Sequence, residues 1–348
     1  MSVLDIDAAP AATSVPVASL RTIDFSKLID RDAMEMTKLI LACQEVGFFY
    51  LDLSSSGCEN LLFNRDVVSG HMEQWFNQDK AEKAKTVTVS NAHGYKPIGH
   101  HAGVGKNRDG WEALKLGRSE LRGRWALPSV VRENISSFSD FQDECHFVTK
   151  LLLDCISTKL ELRGARSLQQ YHRDDAPSKS SLFFNHYPAR DTTGRAAEGK
   201  GEIGQNQHTD LGSLTLLFAP QWGLQVLCPV DFVCPETGER LQWQNVEPRP
   251  RHAIVNVGDT LRFLSDYRLR SALHRALPME NCDRYSIAYF LRPSDDSEFI
   301  DAKGEATTAV SWYLQKNKTY ESHGKQDERI LLGGLMEFAQ PAPVCLET

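Results

Sequence analysis

The stretch Ala253-Ile254-Val255-Asn256-Val257-Gly258-Asp259-Thr260-Leu261-Arg262-Phe263-Leu264 decides the fold class. Two short apolar runs flank Gly258-Asp259, a pair suited to a tight turn, and the spacing predicts a β-hairpin. Runs of the same kind lie on both sides: Ser181–Tyr187, Leu214–Phe218 and Gly223–Leu227 before it, Ala272–Leu277 and Arg284–Leu291 after it. Many short strands separated by turn residues point to a mainly β fold with flanking helices, built on a double-stranded β-helix, or jelly roll.

Before residue 180 the pattern changes. Asp32–Val46, Leu61–Asn77 and Phe138–Arg163 carry apolar residues at helical intervals, the last through Phe147, Leu151, Leu152, Cys155 and Ile156. Arg21–Asp30 reads as a short strand and turn, and Phe48-Phe49-Tyr50-Leu51 as a strand after the helix stop at Gly47. Asn91–Gly110, with five glycines and a proline, reads as turns, and helical character returns over Val310–Phe338. The expected organisation is a loose tail (1–20) and one domain (21–348). That domain comprises a helix-rich part (21–179), a jelly-roll core (180–295) and a C-terminal helical segment (296–348).

The chain has 348 residues, enough for a substantial core, and a formal net charge of -7 without a dense basic run. Phosphate-backbone binding wants the opposite sign, so nucleic acid is not an expected partner. No stretch approaches the roughly 18 apolar residues of a membrane span, and Met1–Leu20 lacks the pattern of a secretory signal. The 8 cysteines form no CxxC pair or dense framework, so reduced thiols and a cytoplasmic location are expected, with oligomeric state left open.

Three motif-like strings carry nothing. Gly199-x-Gly201-x-x-Gly204 lacks the preceding strand and following helix of a dinucleotide site. His172-Arg173-Asp174 has Lys179 where a kinase loop needs Asn, and Gly105-Lys106 lacks the rest of a phosphate loop.

Chemistry concentrates elsewhere. His208-Thr209-Asp210 precedes the Leu214–Phe218 run, and on an extended backbone the two-residue period puts His208 and Asp210 on one face. A third ligand must come from another strand, and His274 stands where β character would favour an apolar residue. Separately, the first two read as an exposed loop pair and the third as a core histidine. Together, two imidazoles and one carboxylate on one side of an ion leave the opposite side open, as in non-haem Fe(II) sites that bind an organic cosubstrate and O₂. Ten residues beyond His274, alternation puts Arg284, Ser286, Ala288 and Phe290 on one strand face. A guanidinium there suits a carboxylate. Asn185 and Tyr187 form another i, i+2 pair able to hydrogen-bond a ligand.

On these residues the sequence resembles the isopenicillin-N-synthase-like branch of the iron(II)/2-oxoglutarate oxygenases. His-Thr-Asp followed by Leu-Gly-Ser-Leu-Thr-Leu-Leu-Phe, Gly223-Leu224-Gln225-Val226, Val257-Gly258-Asp259, Ala-Leu-His-Arg and Arg-Tyr-Ser all match in order, as do Asn-His-Tyr-Pro and Glu45-Val46-Gly47-Phe48-Phe49 upstream. The resemblance implies iron held by His208, Asp210 and His274. It implies 2-oxoglutarate anchored by Arg284 and Ser286, with help from Tyr187 and Asn185. It also implies oxidation of a C–H bond of a small molecule of specialised metabolism, with O₂ consumed and 2-oxoglutarate converted to succinate and CO₂. Candidate substrate contacts are Tyr95, Phe218 and Phe290, with Lys96, His100, His101 and the Trp312 region; the polar loop around His100-His101 reads as surface. Two alternatives stand beside this reading: a 2-oxoglutarate-independent iron oxidase of the same fold, and a non-catalytic small-molecule-binding module.

Overall fold

A computed structural model describes residues 15–55, 57–101, 108–189, 205–229, 241–279 and 282–321. Its frame is an eight-stranded sheet in the spatial order Thr22–Asp24, Phe48–Asp52, His252–Val257, Leu214–Phe218, Arg284–Leu291, Ser181–Tyr187, Glu112–Gly117 and Gly94–Lys96. The first pair is parallel and the others antiparallel. A four-stranded sheet, in the order Gln205–His208, His274–Ala276, Leu224–Pro229 and Leu241–Asn245, completes the jelly-roll core.

Alternation gives the large sheet two different faces. Phe49, Leu51, Leu216, Phe218, Ile287 and Tyr289 join the main apolar core with the helices, whereas Phe48 and Tyr50 pack with Leu224 and Val226 of the small sheet. The long helix Ile135–Lys159 supplies Phe138, Phe141, Leu152 and Ile156 to the main core, all fully buried. Each contributes about 1.5–3 kcal/mol by leaving water. The helix Ala33–Glu45 starts where the sequence predicts, because the Asp32 side chain accepts a hydrogen bond from the Glu35 amide at 2.7 Å.

The hairpin expected at Gly258-Asp259 does not form. His252–Val257 is a strand, but Asp259–Leu264 is a short helix. Gly258 has φ -100°, so no left-handed turn is made; a Cβ there would lie 2.3 Å from the Gly212 carbonyl oxygen. The glycine serves close docking on the Asp210–Ser213 segment, where the Asp259 amide donates to the Asp210 carbonyl at 2.7 Å. An apolar run of five residues does not by itself separate helix from strand.

The expected loose tail is also corrected in part. Val17 bridges to Asn245, the Ala18 amide donates to the Asn245 carbonyl at 2.8 Å, and Ala18 and Leu20 are buried. Residues 1–14, the glycine loop 199–204 and the segment 322–338 lie outside the described residues. Within the described part the C-terminal helix is Ala309–Glu321.

Strands unforeseen in the sequence include Glu112–Gly117, Gln205–His208 and Leu241–Asn245. Their polar residues hide the alternation. Glu112, for example, is buried because Lys83 (2.7 Å), Tyr95 (2.5 Å) and His186 (2.8 Å) all bond its carboxylate. Among the described residues no helix is long and apolar enough to cross a membrane.

Candidate active site

A cavity of about 1230 Å³, counting its open mouth, lies between the two sheets. The strand Gln205–His208 and the loop after it bring His208 and Asp210 to its wall, and the strand His274–Ala276 pairs His274 directly opposite His208. The two imidazole centroids are 4.3 Å apart. Nε2 of His208 and Nε2 of His274 lie 3.6 and 3.7 Å from Asp210 Oδ1. One ligand atom from each residue falls within 4.8 Å of the others, and all three side chains are buried.

Hydrogen bonds fix which ring nitrogen of each histidine faces Asp210. His208 Nδ1 lies 2.7 Å from the Asn206 carbonyl and His274 Nδ1 lies 3.2 Å from that of Ala272. With the proton on Nδ1 in each ring, both Nε2 lone pairs face Asp210. Asp210 Oδ2 accepts from Thr215 Oγ1 at 2.6 Å and Asn256 Nδ2 at 2.7 Å, which turns Oδ1 toward the imidazoles. Burial disfavours a charged Asp210, but His274, His208 and the Asn256 bond outweigh it and hold the carboxyl well below the usual carboxylate range. Burial, then the neighbouring His208, pushes His274 down to about 4. Near neutral pH, His274 is therefore an uncharged imidazole beside a carboxylate. With the His208 Nε2 lone pair, this donor set fits a divalent transition metal without releasing a proton from His274.

Arg284 lies in the same wall, in register with Tyr187, as Ser286 is with Asn185. Its Cζ is 4.8 Å from the Tyr187 ring centroid, and its Nε donates to the Trp222 carbonyl at 2.8 Å. Nη1 is buried without a hydrogen-bond partner. Gly223, at φ +109°, permits this approach: a Cβ would lie 3.1 Å from Arg284 Nε and 2.5 Å from the Leu277 oxygen. An orphan guanidinium N–H fits an anionic ligand. Asn185 Nδ2 and Ser286 Oγ are 3.4 Å apart, and Gln205 links Tyr187 Oη (3.2 Å) to His208 Nε2 (3.2 Å).

Phe290 lines the cavity, but Tyr95 and Phe218 do not. Phe218 falls on the helix-facing parity of its strand and packs 5.8 Å from Phe141. Tyr95 packs 5.4 Å from Trp75 and bonds Glu112. Lys96 is buried in an ion pair with Asp109, and Trp312 lies in the main core. His100 is exposed, as expected; His101 instead lines the cavity, stacking 6.2 Å from Tyr320. Thr215, Asn256, Gln205, Lys115, Arg292 and Tyr320 were not singled out in the sequence. A signal existed for two of them: Thr215 and Asn256 interrupt otherwise apolar strands.

A family model described as the 2OG-Fe(II) oxygenase superfamily matches residues 178–293, and one described as the N-terminal region of a non-haem dioxygenase in morphine synthesis matches residues 20–130. A 2-oxoglutarate-dependent dioxygenase of Gibberella zeae is 47% identical, covering 92% of this chain and 94% of that protein. A second, from Glarea lozoyensis, is 37% identical over 91% of this chain and 93% of that protein. A Neurospora crassa protein solved with α-KG and thymine shares the fold at a TM-score of 0.70 and 22% identity, covering 89% of this chain and 99% of that one. Similarity to these relatives runs through both the helical part and the core that holds the two histidines and the aspartate, and the chain belongs to the 2OG-Fe(II) oxygenase superfamily.

Proposed function

We propose that His208, Asp210 and His274 hold the Fe(II) of this 2-oxoglutarate-dependent dioxygenase, and that Arg284 and Ser286 hold the far carboxylate of 2-oxoglutarate, with Tyr187 and Asn185 beside them. The observation that carries the reading is the convergence of two Nε2 lone pairs and Asp210 Oδ1 in a cavity whose wall also holds the orphan N–H of Arg284. The proposed reaction is oxidation of a C–H bond of a small organic molecule in specialised metabolism, carried out in the cytoplasm. The N-terminal match to a dioxygenase of morphine synthesis supports specialised metabolism as the source of the substrate.

Bound iron supplies the oxidising chemistry; the chain supplies placement. Thr215 and Asn256 fix the Asp210 carboxylate, so one oxygen is presented without a search of rotamers. Arg284 gives a directional, desolvated cation for the carboxylate. Trp111 and Tyr187, stacked at 5.8 Å, exclude water at that end. No side chain is needed as a proton donor at the reacting carbon.

Anaerobic titration of the Fe(II) protein with 2-oxoglutarate is expected to develop a visible charge-transfer band, and its absence would overturn the cosubstrate assignment. Arg284→Met is expected to weaken 2-oxoglutarate binding about 100-fold, the loss of two charge-assisted hydrogen bonds at about 1.5 kcal/mol each. Unchanged affinity would move the cosubstrate away from Arg284. Thr215→Val and Asn256→Leu are expected to lower metal affinity about 10–100-fold each while the fold persists, since partners that orient a ligand have effects of that size. Metal titration by calorimetry decides it, and parent-like affinity in both would remove their orienting role.

A further inference from the structure

Immediately past the end of the strand Arg284–Leu291 lies a second buried guanidinium, that of Arg292. Arg292 continues the alternation Arg284, Ser286, Ala288, Phe290, and all five residues line the cavity. The two arginines are eight residues apart, or about 26 Å along an extended backbone. Arg292 is 6% exposed. Nη1 donates to the Lys179 carbonyl and, at 2.6 Å, to Ser181 Oγ. Nε is buried with no partner. No carboxylate among the described residues forms an ion pair with Arg292; its Cζ lies instead 4.9 Å from the Phe290 ring, 5.4 Å from Tyr313 and 5.8 Å from Phe183. Lys115 adds a second positive charge on that wall, its Nζ 5.0 Å from the same Phe183 ring.

A buried guanidinium with an open N–H and no carboxylate in contact is unfavourable unless a ligand completes it; Asp210 acts on Arg292 only from beyond ion-pair distance. Arg284 faces the same problem at the far end, and the reading above satisfies it with the cosubstrate. One 2-oxoglutarate does not serve both arginines. Asp210 marks where the metal would lie between them: its carboxylate is bonded by Thr215, whose register partner is Phe290, two residues from Arg292. The Arg292 guanidinium is therefore on the metal's side of the cavity, within a frame of aromatic rings.

We propose that Arg292 binds a carboxylate of the organic substrate, so that the compound oxidised is a small carboxylic acid seated between Arg292 and the metal. This rests on the assignment of 2-oxoglutarate to Arg284. Arg292 is a binding residue in this scheme, and it selects acids over neutral analogues of the same shape.

The test uses the full chain loaded with Mn(II) and 2-oxoglutarate under nitrogen, so that binding is read without turnover. Matched pairs of carboxylic acids and their primary amides, on aliphatic, aromatic and α-amino acid scaffolds, are titrated by calorimetry. At least one acid is expected to bind about tenfold or more tighter than its amide, as for a site whose buried polar group is left unpaired by the wrong analogue. In R292Q the acid-to-amide ratio should fall to near one while 2-oxoglutarate affinity stays within about twofold; R292K should give an intermediate ratio. Amides binding as well as acids on every scaffold, no acid binding, or a preference that survives in R292Q overturns the proposal. If R292Q does not fold, the wild-type ratio and R292K decide. If 2-oxoglutarate itself fails to bind, the Arg284 assignment fails, and the same pairs titrated against the Mn(II) protein judge Arg292 alone.

Discussion

Asp210→Ala is expected to abolish 2-oxoglutarate-dependent succinate formation and to weaken Fe(II) or Mn(II) binding by more than about 100-fold, beyond the range for residues that only orient a ligand. The carboxylate is the single anion among the three proposed metal donors, and its loss leaves two imidazoles 4.3 Å apart with no charge to balance a divalent ion. It also frees the side chains of Thr215 and Asn256, which now share Oδ2. Those are hydroxyl and amide groups at a cavity wall, where water can replace the lost acceptor, so the fold should survive. Circular dichroism matching the parent, with metal affinity lost, is the predicted pair of results. Succinate formation within a factor of about two of the parent would rule Asp210 out as a ligand.

Lys316→Met is expected to destabilise the protein by about 3–5 kcal/mol, the usual penalty for leaving one member of a buried ion pair alone. Lys316 and Asp259 have no exposed side-chain surface. The Lys316 ammonium contacts Asp259 Oδ2 and donates to the Thr209 carbonyl at 2.6 Å and Oγ1 at 2.7 Å. Asp259 Oδ1 accepts from Ser271 at 2.9 Å, and Oδ2 from Thr209 at 3.0 Å. Methionine keeps the volume but not the charge, and Asp259 would remain buried without its counter-ion. Because Thr209 stands between His208 and Asp210, metal affinity should fall with stability. Removing both charges in Lys316→Met/Asp259→Leu should recover part of the loss, since a buried pair is replaceable by packed apolar groups. Denaturant unfolding of the parent, Lys316→Met, Asp259→Leu and the double variant tests this. A single variant as stable as the parent, or a double variant worse than the sum of both singles, would show that the pair does not act as a unit.

The same residues mark what can be read locally. His208 and Asp210 are two positions apart, and Arg284, Ser286 and Phe290 share one parity, so a strand's period alone groups them. Tyr95 and Phe218 show where that reasoning stops. Period two sorts Phe218 with Leu214 and Leu216, but it does not say which face meets the helices and which the cavity. Thr215, on the other parity, is the one beside Asp210. The hairpin at Gly258 failed for a related reason: the partner that requires glycine there is the Gly212 backbone, forty-six positions earlier in the chain.

The sequence by itself determined the β-rich core, the three metal-donor candidates and the arginine at the start of the Arg284–Leu291 strand, because these follow from spacing along one or two strands and from the chemistry of the side chains. The tertiary structure alone decided that Lys316 ties the helix Ala309–Glu321 to the Thr209 turn, that Thr215 and Asn256 aim Asp210, and that Arg292 reaches the cavity without a carboxylate in contact among the described residues. Apart from the short Thr215–Asp210 link, these are contacts between distant segments or the absence of one. No local period records which buried charge finds a partner when the two sheets close on each other.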